Sequence, residues 1–121
     1  MKHFNYIFTG SGLSALMTIY EMILSKKFSD ISILLIDADA KKTNDRTWCF
    51  WDDSNLFENI ISKKWTKAFF ANEKWNKNLE INPYTYNMIQ GLDFYNLVFN
   101  AISKHSNIEF INQKVLDFLI L

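Results

Sequence analysis

Phe4-Asn5-Tyr6-Ile7-Phe8-Thr9-Gly10-Ser11-Gly12-Leu13-Ser14-Ala15 is an apolar run that breaks on a glycine turn and opens into a helical pattern. A second apolar run, Ile31-Ser32-Ile33-Leu34-Leu35-Ile36, stops at the acid Asp37. Between them Leu16, Met17, Tyr20, Ile23 and Leu24 recur at three- and four-residue spacing, which predicts one apolar face of an amphipathic helix. The second run is apolar nearly throughout, as suits a parallel strand covered on both sides. Strand, turn, helix and acid-ended strand together predict a βαβ unit with a right-handed crossover, in an α/β fold of Rossmann type.

Each part has a physical use in gripping a dinucleotide. Gly10 permits the tight turn, Gly12 lets the backbone approach a pyrophosphate, and Ala15 allows close helix–strand packing. The helix N-terminus, from Leu13 and Ser14 onward, offers free N–H groups and the positive end of a dipole to phosphates. Asp37 stands where a carboxylate accepts hydrogen bonds from ribose hydroxyls. Its separation from Gly10, 27 positions, exceeds the usual ~20, and the turn Ser25-Lys26-Lys27-Phe28-Ser29-Asp30 can absorb the excess. Gly10, Ser11, Gly12, Leu13, Ser14, Ala15 and Asp37 are therefore candidate cofactor-binding residues. The alternative is an ordinary βαβ unit whose glycines serve only the turn.

The remainder bounds the class. A chain of 121 residues with 13 basic and 13 acidic side chains is long enough for a small core. It shows no basic excess for nucleic acid, so no nucleic-acid partner is expected. Cys49 is the only cysteine, which excludes an internal disulfide and fits a reducing cytoplasm. His3 and His105 stand far apart with no supporting cysteines, so no metal site is expected. Residues 40–65 show no clean period. Lys67–Ala71 and Leu79–Ile81 read as short strands of a meander, and Asn82-Pro83 as the turn into Tyr84–Ile89. A second helix is predicted over Leu92–Lys104, burying Phe94, Leu97, Val98, Ala101 and Ile102, and then a strand over Ile108–Ile111. Lys114–Leu121 reads as the start of another strand, so that residues 1–121 are expected to be an N-terminal domain cut within a strand.

Arg46 is the only arginine of the chain and lies in its most distinctive segment, Asp45-Arg46-Thr47-Trp48-Cys49-Phe50-Trp51-Asp52-Asp53. A guanidinium just after the second strand can fork onto a pyrophosphate or stack on a flat ring. Alternatively it pairs with Asp45 or Asp52. Trp48, Phe50 and Trp51 can form an apolar wall, or be core. Asp52 and Asp53, adjacent on a polar loop, read as solvated rather than catalytic.

Tyr6–Ser14, Ile33–Asp37 and Asp45–Trp51, with Tyr84-Thr85-Tyr86 and the helix at Phe94, resemble the start of bacterial lycopene cyclases. The Thr47-Trp48-x-Phe50 segment behind Asp37 is the most specific part of the likeness. The resemblance implies a FAD-binding domain in which Gly10, Gly12 and Asp37 grip the ADP half of the flavin. It implies an enzyme that closes the ends of lycopene to β-ionone rings by protonation, with reduced FAD, electrons from NAD(P)H and no net redox change. It places the catalytic acid and the rest of the substrate domain beyond residue 121, so that no catalytic residue is expected within this chain, which alone is expected to be inactive. A carotenoid substrate implies peripheral contact at the inner face of the cell membrane. Another FAD-dependent oxidoreductase and an inactive nucleotide-binding remnant are the competing readings.

Overall fold

In the computed structural model, which describes residues 2–40 and 43–119, the βαβ unit forms where the apolar runs place it. Strand β1 is Tyr6–Thr9, helix α1 Leu13–Ser25 and strand β2 Ile33–Asp37. There follow β3 (Thr47–Asp52), a 3-10 turn (Glu58–Ile60), β4 (Ile61–Trp65), β5 (Lys67–Ala71) and β6 (Asn76–Glu80). Strand β7 (Thr85–Gln90), helix α2 (Gly91–Ser103) and β8 (Ile108–Asn112) complete the order. Backbone contacts define two compact units: the residues before 43 together with those from Tyr95 on, and Thr43–Phe94. Among the described residues no helix is long and apolar enough to cross a membrane.

The first unit is a parallel sheet in the order β1-β2-β8, with Leu35 paired to Phe8 on one side and to Phe110 on the other. The central position of β2 explains its unbroken apolar sequence: Ile33, Leu34 and Leu35 are all buried. Among the described residues strand β1 pairs with β2 alone, and it leaves Ile7 57% exposed. Helix α1 buries Leu16, Ile19 and Met22, a line three residues apart. The expected stripe is therefore rotated, with Met17, Tyr20 and Ile23 at its margin and Leu24 exposed. Lys26 closes α1 in the left-handed region, and its N–H donates to the Ile23 carbonyl. Asn107 ties the loop after α1 to the start of β8: its side-chain amide donates to the carbonyls of Phe28 and Ile31. Val98, Ile102 and Ile108 join this core, and Phe99 meets Phe110 edge-on.

The second unit corrects the expected meander. Its main sheet is antiparallel in the order β3-β7-β4, while β5 and β6 form a separate two-stranded hairpin. Strand β7 takes the centre because it has side chains to bury, Asn87 and Ile89, on its packed face. Strand β6 is exposed at every residue and suits only a hairpin. The Asn82–Pro83 peptide, in the turn before β7, is cis.

Residues 113–119 correct a second expectation, for they form no strand. A strand needs a partner for its backbone groups, and this segment pairs with no described strand. Leu116 and Leu119 are each 87% exposed. Ile120 and Leu121, the end of that expected strand, lie outside the described residues.

Candidate functional site

The turn after β1 has the conformation that the glycine spacing predicts. Gly10 adopts φ +97°, a region that side chains with a Cβ rarely enter. Its N–H donates to the Ile36 carbonyl at 2.6 Å, fastening the turn to the end of β2. Gly12 is extended and serves as N-cap of α1, its carbonyl accepting the Leu16 N–H at 3.0 Å. A Cβ on Gly12 would meet nothing within 4 Å, so the space above this backbone is open. No side chain caps the helix, and its first turn holds no acid. The N–H groups of Leu13, Ser14 and Ala15 thus form an uncapped positive end, which favours an anion.

Asp37 is anchored beside this turn by a network that sequence alone does not display. Ser11 is fully buried, and both its N–H and its hydroxyl donate to Asp37 Oδ2 at 2.6 Å. The Asp39 N–H donates to Asp37 Oδ1 at 2.8 Å, and the Asn112 side-chain amide to the Asp37 carbonyl at 2.8 Å. The structure therefore brings Gly10 to Ala15 and Asp37 together within one unit. Hydrogen bonds of this length to a carboxylate are of the strong, charge-assisted kind, and they hold the carboxylate in one orientation.

Arg46 belongs to the other unit and its side chain is exposed. Its main chain anchors the start of α2, where the Arg46 carbonyl accepts the Gly91 N–H at 2.7 Å. The approach is so close that a Cβ on Gly91 would lie 2.8 Å from that oxygen. Asn44 adds a side-chain cap, its Oδ1 accepting the Leu92 N–H at 3.2 Å in the first turn of α2. The alternative pairing of Arg46 with Asp52 is not formed. Burial alone would raise the Asp52 carboxyl, but the Ser54 hydroxyl and the N–H groups of Ser54, Asn55 and Asp53 hold it below its ordinary value. Asp52 is thus an ionised turn-former and a poor proton donor.

The aromatic segment divides by strand alternation. Trp48 and Phe50 point inward, where Trp48 meets Phe94 at 5.4 Å, Phe50 meets Phe57 at 5.9 Å and Phe57 meets Phe94 at 6.0 Å between ring centroids. Trp51 points the other way and is 56% exposed. Its ring lies 4.8 Å from that of Tyr86, which in turn lies 5.8 Å from Trp65. The sequence reading does not mark Trp65 and Tyr86 as site candidates; counting every second residue from Trp51 and across its partners is the signal that finds them. Desolvation, the negative charge of a neighbouring Cys49 thiolate and a hydrogen bond with its sulfur push the Tyr86 phenol above its ordinary value. A separate cavity of about 170 Å³ lies at the other end of the parallel sheet, lined by Met22, Ile33, His105 and Ile108 among others. It is remote from the glycine turn, which stands at the carboxyl ends of the strands, where ligands of such sheets bind.

The family model described as lycopene cyclase protein matches residues 6–118. No curated protein matches the chain.

Proposed function

Because the chain belongs to the lycopene cyclase family, we propose that it forms the N-terminal, flavin-gripping part of a lycopene β-cyclase-like enzyme. In this reading the enzyme closes the ends of linear lycopene into β-ionone rings with reduced FAD bound and no net redox change. NAD(P)H keeps the flavin reduced. The observation that carries the reading is the glycine turn joined to Asp37 through Ser11, beside an uncapped helix end.

These residues fit the ADP half of FAD. The N–H groups of Leu13, Ser14 and Ala15 supply donors for a pyrophosphate, and Gly10 and Gly12 keep its approach clear of side chains. Asp37, held in place by Ser11, accepts hydrogen bonds from ribose hydroxyls. Arg46 is a proposed further cofactor contact through its guanidinium. FAD, when bound and reduced, supplies negative charge to a reaction that passes through a substrate cation. No carboxylate of this chain is assigned as the general acid. A carotenoid substrate places the protein at the cytoplasmic face of a membrane, in peripheral contact.

The test is turnover by the full-length protein given lycopene, FAD and NAD(P)H. The reading expects a ring-bearing product of the same mass as lycopene, with far less than one NAD(P)H consumed per product. An oxygenated or hydrogenated product formed with stoichiometric NAD(P)H use would place the protein among the other flavin oxidoreductases and refute it.

A further inference from the structure

The cavity at the amino ends of the parallel strands belongs wholly to the first unit, and the glycine turn makes no use of it. Its floor is core: Ile33, Ile108 and Met22 are 0%, 8% and 9% exposed. Phe28 also lines it, its ring meeting that of Tyr6 edge-on at 6.4 Å. A space of about 170 Å³ matches the ~150 Å³ apolar cavity that takes up one benzene molecule. Met22 adds a thioether, whose sulfur packs well against aromatic rings. Size and lining thus suit a single six-membered aromatic ring.

The polar groups of the cavity select among such rings. His105 Nδ1 lies 2.8 Å from the Ala101 carbonyl; a carbonyl only accepts, so Nδ1 carries the proton. In the neutral imidazole Nε2 is then an acceptor, and among the described residues nothing else bonds to this ring. Asn107 offers no donor, because its amide already donates to the Phe28 and Ile31 carbonyls. The cavity also meets the C-terminal ends of α1 and α2, whose last turns hold no basic residue. Such ends carry partial negative charge and oppose an anion. Lys26, which lines the cavity too, opposes a cation. A neutral ligand with one hydrogen-bond donor answers all of these groups.

We propose that this cavity binds a small phenol, a single aromatic ring whose hydroxyl donates to His105 Nε2. The ring lies over Ile33 and Ile108 and against Met22 and Phe28. The site stands independently of the lycopene cyclase reading and shares no residue with the proposed flavin contacts.

The experiment titrates phenol into the full-length protein labelled with nitrogen-15 in its histidines. The His105 signals, assigned as those missing from His105→Phe, are expected to move saturably, with the larger change on Nε2. Half-saturation is expected at about 1 mM, the scale for a ligand of so few atoms. Cyclohexanol, with the same hydroxyl on a saturated ring, should bind about threefold more weakly for want of aromatic contacts. In His105→Phe the affinity for phenol should fall about fivefold relative to that for toluene, which has no hydroxyl to donate. Ser29 stands exposed on the rim, so Ser29→Trp should close the mouth and abolish the shifts, with flavin retention unchanged. His105 signals that stay in place, or that drift without saturating, overturn the site, as does wild-type binding by Ser29→Trp. Cyclohexanol binding as tightly as phenol, or an unchanged phenol-to-toluene ratio in His105→Phe, overturns the assigned ligand class. If His105→Phe fails to fold, His105→Gln supplies the assignment, and the wild-type titration with Ser29→Trp decides.

Discussion

Ser11→Ala isolates the contact that joins the glycine turn to Asp37. The substitution removes a 2.6 Å hydrogen bond from a fully buried hydroxyl to a carboxylate and leaves the backbone N–H of residue 11 on the same oxygen. Hydrogen bonds to charged groups contribute about 1.5–3 kcal/mol. Asp37 is half-buried and keeps two N–H donors, so the low end applies, about 1.5 kcal/mol. With a urea slope of about 1.5 kcal/mol/M for a small domain, the unfolding midpoint should fall by about 1 M at unchanged slope. A double-mutant cycle with Asp37→Ala sharpens the test. If the hydroxyl acts through the carboxylate, Ser11→Ala costs little once Asp37 is gone, and the coupling is about 1–2 kcal/mol. The same loss of orientation should weaken ADP binding by a few-fold, because the carboxylate no longer stands pre-positioned. An unchanged midpoint, or costs that simply add, would show that the Ser11–Asp37 contact does not organise the turn.

Three further outcomes follow from the geometry. Gly10→Ala forces a Cβ into a backbone at φ +97°; urea unfolding should show a loss of about 1–3 kcal/mol, with ADP affinity reduced. Gly91→Ala sets about 1 kcal/mol of helix propensity against a Cβ placed 2.8 Å from the Arg46 carbonyl oxygen, an overpacking cost of about 1–3 kcal/mol. The melting temperature should therefore fall, and a rise would mean that the Arg46 backbone yields freely. Asp52→Ala tests the turn at Ser54. A carboxyl lowered on folding contributes stability above its unfolded pKa of about 3.9, and loses it as pH falls through the lower folded value. The variant should thus be less stable than wild type at pH 7, with the gap closing under acid; a gap independent of pH would remove the electrostatic explanation.

What the sequence makes legible follows from how local each signal is. The βαβ unit can be read because its strands, helix and turn announce themselves within a few residues: Gly10 takes the positive φ, and Ile33 to Leu35 are buried as a central parallel strand must be. Strand β3 escapes because Trp48 and Phe50 on one face and Cys49 and Trp51 on the other are all apolar, so alternation leaves no mark. Strand β4 escapes for the opposite reason: Ser62, Lys63 and Lys64 are polar, and its register shifts between Ile61 and Lys63. The order β3-β7-β4 depends on which strands find each other across long stretches of chain, and no local pattern encodes it. At the candidate site, the positions Gly10 to Ala15 and Asp37 are readable, but not that Ser11 turns its hydroxyl onto Asp37. Spacing locates an acid near a turn, and only packing decides which side chain meets it. Arg46 stands out by its rarity, whereas the contact the structure gives it is a backbone one with Gly91, invisible to side-chain chemistry.

A crystal structure of the full-length protein with FAD bound puts the glycine turn to its hardest test. The pyrophosphate is expected within hydrogen-bonding reach, about 3 Å, of the N–H groups at the start of α1, with a ribose hydroxyl on the Asp37 carboxylate and the Ser11–Asp37 contact intact. A flavin bound away from the Gly10–Ala15 turn, or bound there with Asp37 turned aside from the ribose, would contradict the assignment.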